Sequence, residues 1–120
     1  MTEQLALQSV DYAHEIVEAA SDVQANDIVL LDVREACDFA DYFIIMTAES
    51  SRQMRALQDD IEQAMKLNGL RPHHVEGTRD SGWILLDFGD VIAHLMGPEE
   101  REFYDLEGVW PKAVELLRLQ

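Results

Sequence analysis

The chain has 120 residues, of which 48% are hydrophobic, 24 are acidic and nine are basic, so its formal net charge is −15. That length predicts one domain spanning residues 1–120, with an ordinary apolar core and no room for a second domain. The negative charge argues against direct nucleic-acid binding, which depends on Lys and Arg displacing counterions from phosphates, and favours encounter with a basic protein.

Apolar spacing predicts the first three elements of the chain. Residues 2–21 form an amphipathic helix, because apolar residues recur there at helical spacing with acidic residues between them. The apolar positions of this helix are Ala6, Val10, Ala13, Val17 and Ala20. Residues 27–33 and 42–47 are dense in Ile, Val and Leu over the length of a strand, which predicts two strands buried on both sides near the centre of a sheet.

A second helix is predicted from its end signals. Ser50 and Gln53 form a capping-box pattern ahead of an apolar series at helical spacing, and Gly69 stands where a helix terminator is expected. The apolar series is Met54, Leu57, Ile61, Ala64 and Met65. A short strand over residues 73–76 follows this helix.

The most informative stretch is a predicted β-hairpin around Gly89 and Asp90. A two-residue turn with glycine at its first central position determines the pairing of the flanking strands. On one face, Phe88, Leu86 and Ile84 then lie opposite Val91, Ala93 and Leu95, an apolar set that belongs in a core. On the other face, Trp83, Leu85 and Asp87 lie opposite Met96, His94 and Ile92. This mixed face is expected to need a partner.

The C-terminal part of the chain is predicted to be helical. Pro98, Glu99 and Glu100 begin a helical turn, because proline at the first position and acids in the first turn favour a helix start. Gly108 is expected to interrupt this helix, and residues 110–119 are predicted to form a last one. The whole pattern predicts an α/β sandwich with a mixed sheet of about five strands flanked by helices.

The residues that could bind a metal or a cofactor do not occur in a suitable pattern, so the sequence predicts neither a metal site nor a cofactor. The chain contains neither a P-loop nor a glycine-rich dinucleotide turn. His73 and His74 are adjacent on a strand and point to opposite faces, so they cannot chelate one ion together. Ser50 is explained by helix capping. Cys37 is the only cysteine, which excludes an internal disulfide. His94 is either a satisfied core histidine or a ring presented to a partner.

One carboxylate pattern resembles a nucleotidyltransferase site. In those enzymes two acids spaced by one residue at a strand start hold catalytic magnesium ions. Here Asp41 precedes Tyr42 and Phe43, and the phenylalanine occupies the place of the second acid. Asp87 on a neighbouring strand is a weak substitute. The pattern therefore predicts such a scaffold without its catalysis, and the protein is not expected to be an enzyme.

Hydropathy predicts a soluble, cytoplasmic protein. The longest apolar runs, over residues 28–31 and 43–46, are far too short to cross a bilayer. The chain does not open with the basic and apolar segments of a signal peptide. No membrane association is therefore expected.

At the level of motifs, the chain resembles the ribosomal silencing factor family, also called the RsfS or Iojap family. The resemblance covers about residues 5–115 and is carried by five blocks in the family order. These blocks are residues 41–45, 50–53, 76–77, 83–94 and 101–110. The block from Trp83 to His94 and the Tyr-Asp-Leu-Glu segment that begins at Tyr104 are the most specific.

This resemblance implies a nucleotidyltransferase-like fold without catalysis. It also implies binding to large-subunit ribosomal protein number fourteen, which blocks joining of the small and large subunits and lowers translation when nutrients are scarce. The residues expected to bind the partner are Trp83, Asp87, Asp90, His94, Met96, Tyr104 and Glu107. Trp83 and Tyr104 could instead pack inside the fold. The acidic run from Glu99 to Glu107 could instead be a solvent-exposed face with no partner.

Two other functional hypotheses stay open at this point, and so does the oligomeric state. The chain could be a metal-dependent nucleotidyltransferase with an unusual site, or an acidic adaptor for another basic protein. A homodimer is also compatible with the sequence.

Overall fold

A six-stranded mixed sheet forms the centre of the protein, whose computed structural model describes residues 8–120 except for the side chain of Arg79. The strands are β1 (Asn26–Asp32), β2 (Tyr42–Thr47), β3 (His74–Glu76), β4 (Trp83–Asp87), β5 (Val91–Met96) and β6 (Val114–Leu119). Their order across the sheet is β3-β4-β5-β2-β1-β6. Neighbouring strands are antiparallel except β2 and β5, which are parallel. The predicted α/β class with a mixed sheet is confirmed, although the sheet has six strands rather than about five.

Two long helices cover one face of this sheet and build the larger core. They are α1 (Ser9–Asp22) and α2 (Ser51–Leu67). In each helix, apolar residues recur at helical spacing and form one apolar face. The predicted first helix is confirmed from Ser9 onward, while its predicted residues 2–7, including Ala6, lie outside the described residues. The buried side chains of the two helices are Ala13, Ile16, Val17, Ala19 and Ala20 from α1 and Met54, Leu57, Ile61 and Met65 from α2.

The start of α2 shows how local sequence determines a helix end. The Ser50 hydroxyl accepts a hydrogen bond from the Gln53 amide at 3.1 Å, as predicted for the cap. The Gln53 side chain accepts from the Glu49 amide at 2.7 Å rather than from the amide of Ser50. Its own amide group also donates to the carbonyl of Gln24 at 2.9 Å. Gln53 therefore caps its helix and ties it to the loop after α1.

The hairpin of β4 and β5 has the predicted register. Trp83 pairs with Met96, Ile84 with Leu95, Leu85 with His94, Leu86 with Ala93 and Asp87 with Ile92. Gly89 has φ +98°, a conformation that glycine adopts without strain. Its amide donates to the Asp87 carboxylate at 2.8 Å, which satisfies the backbone at the turn. The inward face of the hairpin is buried against α1 and α2, as expected.

The C-terminal part of the chain departs from its prediction. Pro98 does begin a helix, α3 (Pro98–Tyr104), but the break falls at Asp105, whose φ of +44° is left-handed. Gly108 lies inside the next helix, α4 (Leu106–Val109), and does not interrupt one. Residues 114–119, predicted as helix, form strand β6 against β1. Pairing with the backbone groups of β1 outweighs a weak helical pattern in a short segment.

A second, smaller core lies on the opposite face of the sheet. Val29, Leu31, Phe43, Ile45 and Met96 point to this side. They are covered by the loop after β1 and by the segment from α3 to β6, which contributes Leu106, Trp110 and Ala113. The face predicted to need a partner is therefore partly covered by the chain's own C-terminal segment.

Candidate interaction surface

Seven rings form a continuous chain of contacts across the second face, here called the aromatic row. Successive ring centroids lie 4.7–5.9 Å apart, within the range of favourable ring pairs. In order, the rings are Phe103, Tyr104, Trp83, His94, Phe43, Trp110 and Phe39. The two ends of the row are exposed and its centre is buried, so the row joins surface to core.

Trp83 is held from below by His94. The indole Nε1–H donates to His94 Nδ1 at 3.3 Å, which places the histidine proton on Nε2. Burial lowers the pKa of His94 to about 4, so the ring is neutral near pH 7. Its Nε2 is buried and has no hydrogen-bond partner among residues 8–120. His94 therefore acts as a neutral acceptor that orients the indole.

The backbone of Trp83 is held by the loop that precedes it. Ser81 Oγ lies 2.7 Å from the carbonyl oxygen of Thr78 and 3.0 Å from that of Trp83. Gly77 has φ +85°, and a Cβ atom there would overlap the Trp83 carbonyl oxygen. Glycine at position 77 is therefore required by both conformation and space. The loop and His94 together leave the indole little freedom.

Tyr104 contacts Trp83 and lies at the surface of the protein. Its ring centroid lies 4.7 Å from that of Trp83, and 46% of the residue is exposed. Phe103 beside it is 80% exposed, an unusual position for a large apolar side chain. We call Trp83, Phe103, Tyr104 and the two clefts beside Tyr104 the Trp83–Tyr104 surface.

The two clefts of the Trp83–Tyr104 surface have acidic walls. The first, of about 310 Å³, is lined by Glu76, Gly77, Ser81, Trp83, Leu85 and Tyr104. The second, of about 640 Å³, is lined by Ser81, Pro98, Glu99, Glu100, Glu102, Phe103 and Tyr104. The larger cleft therefore places three acidic residues beside aromatic side chains, and the smaller cleft places one. A surface of this kind can bind an apolar side chain and a cation together.

Four of the predicted site residues differ in how far they reach the surface. Trp83 is half-buried and Tyr104 is exposed, so both border the clefts. Met96 has no exposed surface and His94 is 5% exposed, because Trp83 and the C-terminal segment cover them. Met96 therefore does not lie open on the hairpin face, and of the two alternatives left for His94 the structure shows a core position. They lie beneath the surface.

Of the three predicted acidic residues, Glu107 lies apart from Asp87 and Asp90. Glu107 accepts hydrogen bonds from Arg101 at 3.2 Å and from Arg118 at 2.7 Å, so it is engaged inside the protein. Asp87 and the exposed Asp90 lie at the hairpin tip, and Asp87 is four residues, about 13 Å, along the strand from Trp83. The structure therefore brings Trp83, His94, Met96 and Tyr104 together and leaves Asp87 and Asp90 at a distance.

Two surface residues were missed by reasoning from the sequence. Glu76 lines the smaller cleft because β3 pairs Glu76 with Leu85, which puts it on the face of Trp83. The loop between β3 and β4 has no two-residue turn that would have revealed this register. Phe103 was not assigned to the site, and its only signal was a second aromatic residue beside Tyr104. Neither residue is marked by a motif with a known mechanism.

The positions considered for metal chemistry have other contacts. Asp41 accepts a hydrogen bond from the Ser9 hydroxyl at 3.0 Å, and Phe43 is buried between His94 and Trp110. Among residues 8–120, no three His, Cys, Asp or Glu side chains are grouped so that they could hold a metal ion. Within the same residues, no helix is both long and apolar enough to cross a membrane.

Comparison with known proteins gives a consistent result. The family model described as "Ribosomal silencing factor during starvation" matches residues 6–120. Ribosomal silencing factor RsfS of Bacillus subtilis is 36% identical over 95 residues, which cover 79% of this chain and 80% of that protein. The chloroplastic protein Iojap of Zea mays is 32% identical over 109 residues, covering 91% of this chain and 47% of that protein. A crystal structure of a Chromobacterium violaceum protein, 29% identical, superposes with a TM-score of 0.83 and covers 92% of this chain and 94% of that one.

Proposed function

Because the chain belongs to the ribosomal silencing factor family, also called RsfS or Iojap, we propose that it binds the large ribosomal subunit and prevents the small subunit from joining it. Its partner in the large subunit is ribosomal protein number fourteen, and the effect is lower translation when nutrients are scarce. The protein acts in the cytoplasm as a regulator and not as an enzyme. The observation that supports this proposal best is the Trp83–Tyr104 surface.

The chemistry of that surface supports a basic protein as the partner. Exposed Phe103 and Tyr104 offer apolar contact area, with acidic residues beside both in the larger cleft and Glu76 beside Tyr104 in the smaller one. Interfaces of this composition have an aromatic centre and a polar rim. The net charge of −15 attracts a basic protein and repels the phosphates of ribosomal RNA. Protein and not RNA is therefore the direct contact.

The smaller cleft suggests how one partner side chain binds. Trp83 and Tyr104 form an aromatic wall, and Glu76 supplies a carboxylate at the rim. A lysine or arginine side chain of the partner can place its apolar stem along the rings and its charge near Glu76. Contacts of a cation with an aromatic face and with a carboxylate reinforce each other.

The predicted site residues have different roles under this proposal. Trp83 and Tyr104 contact the partner directly. His94 and Met96 support the indole from beneath, since both are buried. Glu107 acts within the protein through its two arginine contacts. Asp87 and Asp90 extend the acidic rim toward the hairpin tip, where they steer a basic partner more than they anchor it.

The fold is proposed to be a nucleotidyltransferase-like scaffold that has lost its chemistry. The position that a second metal-binding acid would occupy is Phe43, which is buried among aromatic rings. No specific observation favours the alternative of metal-dependent nucleotide transfer. An acidic adaptor for another basic protein would use the same surface and differs only in its partner. A homodimer would have to leave Trp83 and Tyr104 accessible for the proposed contact.

Co-sedimentation with separated ribosomal subunits tests the proposal. We expect the protein to pellet with large subunits and not with small ones, and to bind isolated ribosomal protein number fourteen. Association should slow as salt is added, because electrostatic steering is screened beyond about 10 Å at ~0.1 M salt. Binding that needed only protein-free ribosomal RNA would contradict the proposal. Retention by another basic protein alone would support the adaptor.

A further inference from the structure

Arg101 is the most buried residue of the ion-pair network in the C-terminal segment. Its Nη1 donates to the carbonyl oxygen of Asp27 at 2.6 Å and to the hydroxyl of Thr47 at 2.9 Å. Its Nε donates to Glu107 at 3.2 Å, and its Nη2 lies 3.3 Å from the Asp27 carboxylate. The side chain is only 10% exposed. One guanidinium therefore joins α3 to β1, β2 and α4.

Few side chains of the helices that carry the exposed aromatic residues pack on the rest of the protein: Tyr104 contacts Trp83, and Leu106 contacts the second core. No residue of α3 or α4 is buried in the described part of the chain, and the two helices have seven and four residues. Helices of this length do not persist in water without tertiary contacts. Leu106 packs only partly against the second core. Arg101 therefore supplies the side-chain hydrogen bonds that join α3 to β1 and β2.

A second arginine extends the same network at the solvent side. Arg118 on β6 contacts Asp27 at 2.6 Å, Glu107 at 2.7 Å and Glu115 at 3.1 Å. Hydrogen bonds to Glu107 and Glu115 raise the pKa of the Arg118 guanidinium. Glu107 is thus shared between the two arginines. Arg101 makes the contacts with the backbone and with the hydroxyl group, while the ion pairs of Arg118 are with carboxylates.

We propose that Arg101 is a positioning residue for partner binding, which holds Tyr104 against Trp83 without contacting the partner itself. Arg101 and Tyr104 are three residues apart on α3, about one helical turn. Anchoring of Arg101 therefore determines where Tyr104 and Phe103 stand. The inference rests on the proposed function for its binding readout, but the placement of α3 can be measured without any ribosome.

The shape of the guanidinium explains why arginine is needed at this position. Its rigid fork presents five donors at fixed angles, so it can reach the Asp27 carbonyl, the Thr47 hydroxyl and Glu107 together. A lysine carries the same charge as a single ammonium group. Arg101→Lys is therefore expected to keep part of the network. Arg101→Met is expected to lose all of it, although the methionine side chain has a similar length.

The test compares Arg101→Met with the control Arg55→Met. Arg55 is an exposed arginine on α2. Within residues 8–120, its only ion pair is with Asp59, at 3.9 Å. We expect Arg101→Met to speed hydrogen exchange of α3 and α4 amides roughly tenfold or more, with β2 and β5 unchanged. The indole N–H resonance of Trp83 should shift as Tyr104 moves. Affinity for large subunits should fall about tenfold or more, and Arg101→Lys should lie between.

A double variant separates positioning from general stability. In a Tyr104→Ala background, Arg101→Met should lower affinity less than it does in the unaltered protein, because one of the two aromatic residues that it positions is already absent. Equal losses in both backgrounds, or faster exchange throughout the sheet, would overturn the proposal. If Arg101→Met does not fold, Arg101→Lys carries the same comparison. Failure of the unaltered protein to bind large subunits would refute the proposed function, whereas unchanged exchange of α3 and unchanged Trp83 resonance would refute the positioning role.

Discussion

The two faces of the sheet are stabilised in different ways. On one face, α1 and α2 bury a continuous apolar core with few polar atoms. On the other face, short helices cover a smaller apolar core bordered by aromatic side chains, and a network of two arginines and three carboxylates joins these helices to the sheet. The first face has helices long enough to bury whole apolar stripes. The second has polar contacts at its margin and exposed rings at its ends.

This difference indicates a division of roles between the faces. Apolar burial supplies most of the stability of a domain, and it is non-directional. Hydrogen bonds and ion pairs hold side chains at particular angles but contribute less net stability. The helix-covered face therefore stabilises the fold, while the aromatic face is the one proposed to orient groups for a partner. Variants on the two faces should separate these roles.

The largest effect is expected from Leu86→Ala on the helix-covered face. Leu86 is fully buried, so its truncation leaves a cavity and should lower the free energy of unfolding by ~2 to 5 kcal/mol. Urea denaturation measures this loss. Affinity of the remaining folded fraction for large subunits should change little. A large loss of affinity with intact folding would show that the two faces are not separate.

A pH-dependent effect is expected on the aromatic face. An unfolded histidine takes up a proton near pH 6.5, whereas His94 in the fold does so only near pH 4. The unfolded state therefore binds more protons between these values, so the stability is complete above pH 6.5 and falls as the pH drops toward 4. The total loss is about 3 kcal/mol. Urea midpoints from pH 7.5 to pH 4.5 measure it.

His94→Asn is the control for this pH effect. The Asn side-chain oxygen can accept from the Trp83 indole in place of Nδ1, and it has no proton to gain in this range. The variant should be less stable at pH 7.5 and should lose less stability than the unaltered protein on acidification. Carboxylates contribute equally to both proteins. Identical pH slopes would show that His94 does not titrate as its burial predicts.

A smaller effect in free energy is expected from Trp83→Ala, although it is the decisive one for function. Truncating a tryptophan at the centre of an interface typically costs ~2 kcal/mol or more, about thirtyfold in affinity. Binding to large subunits should weaken, and subunit joining should recover in a reconstituted assay. Phe39→Ala is the matched control, since Phe39 is 56% exposed at the other end of the aromatic row.

The Trp83 comparison has two informative failures. If Trp83→Ala unfolds the domain, the tryptophan belongs mainly to the second core, and circular dichroism would reveal this. If Trp83→Ala binds large subunits normally while Phe39→Ala does not, the interface lies at the Phe39 end of the row. Either outcome would contradict the proposed surface.

Much of the fold could be predicted because its signals are local. The cap at Ser50, the strand of residues 42–47 and the turn at Gly89 each depend on a few neighbouring residues. The candidate site could be predicted only in part. Trp83 and Tyr104 were identified, but the burial of Met96 and the ion pairs of Glu107 depend on a segment distant in sequence.

The sequence by itself determined the hairpin register, the apolar faces of α1 and α2 and the family. These follow from side-chain periodicity, turn chemistry and motif blocks, all of which act within short stretches of chain. Only the tertiary structure decided that residues 114–119 form a strand, that α3 is anchored by Arg101, and that His94 is buried. Each of these depends on which distant backbone or side-chain groups a segment meets. The edge of β1 offers unpaired hydrogen-bonding groups, and satisfying them outweighs the weak helical preference of a six-residue segment.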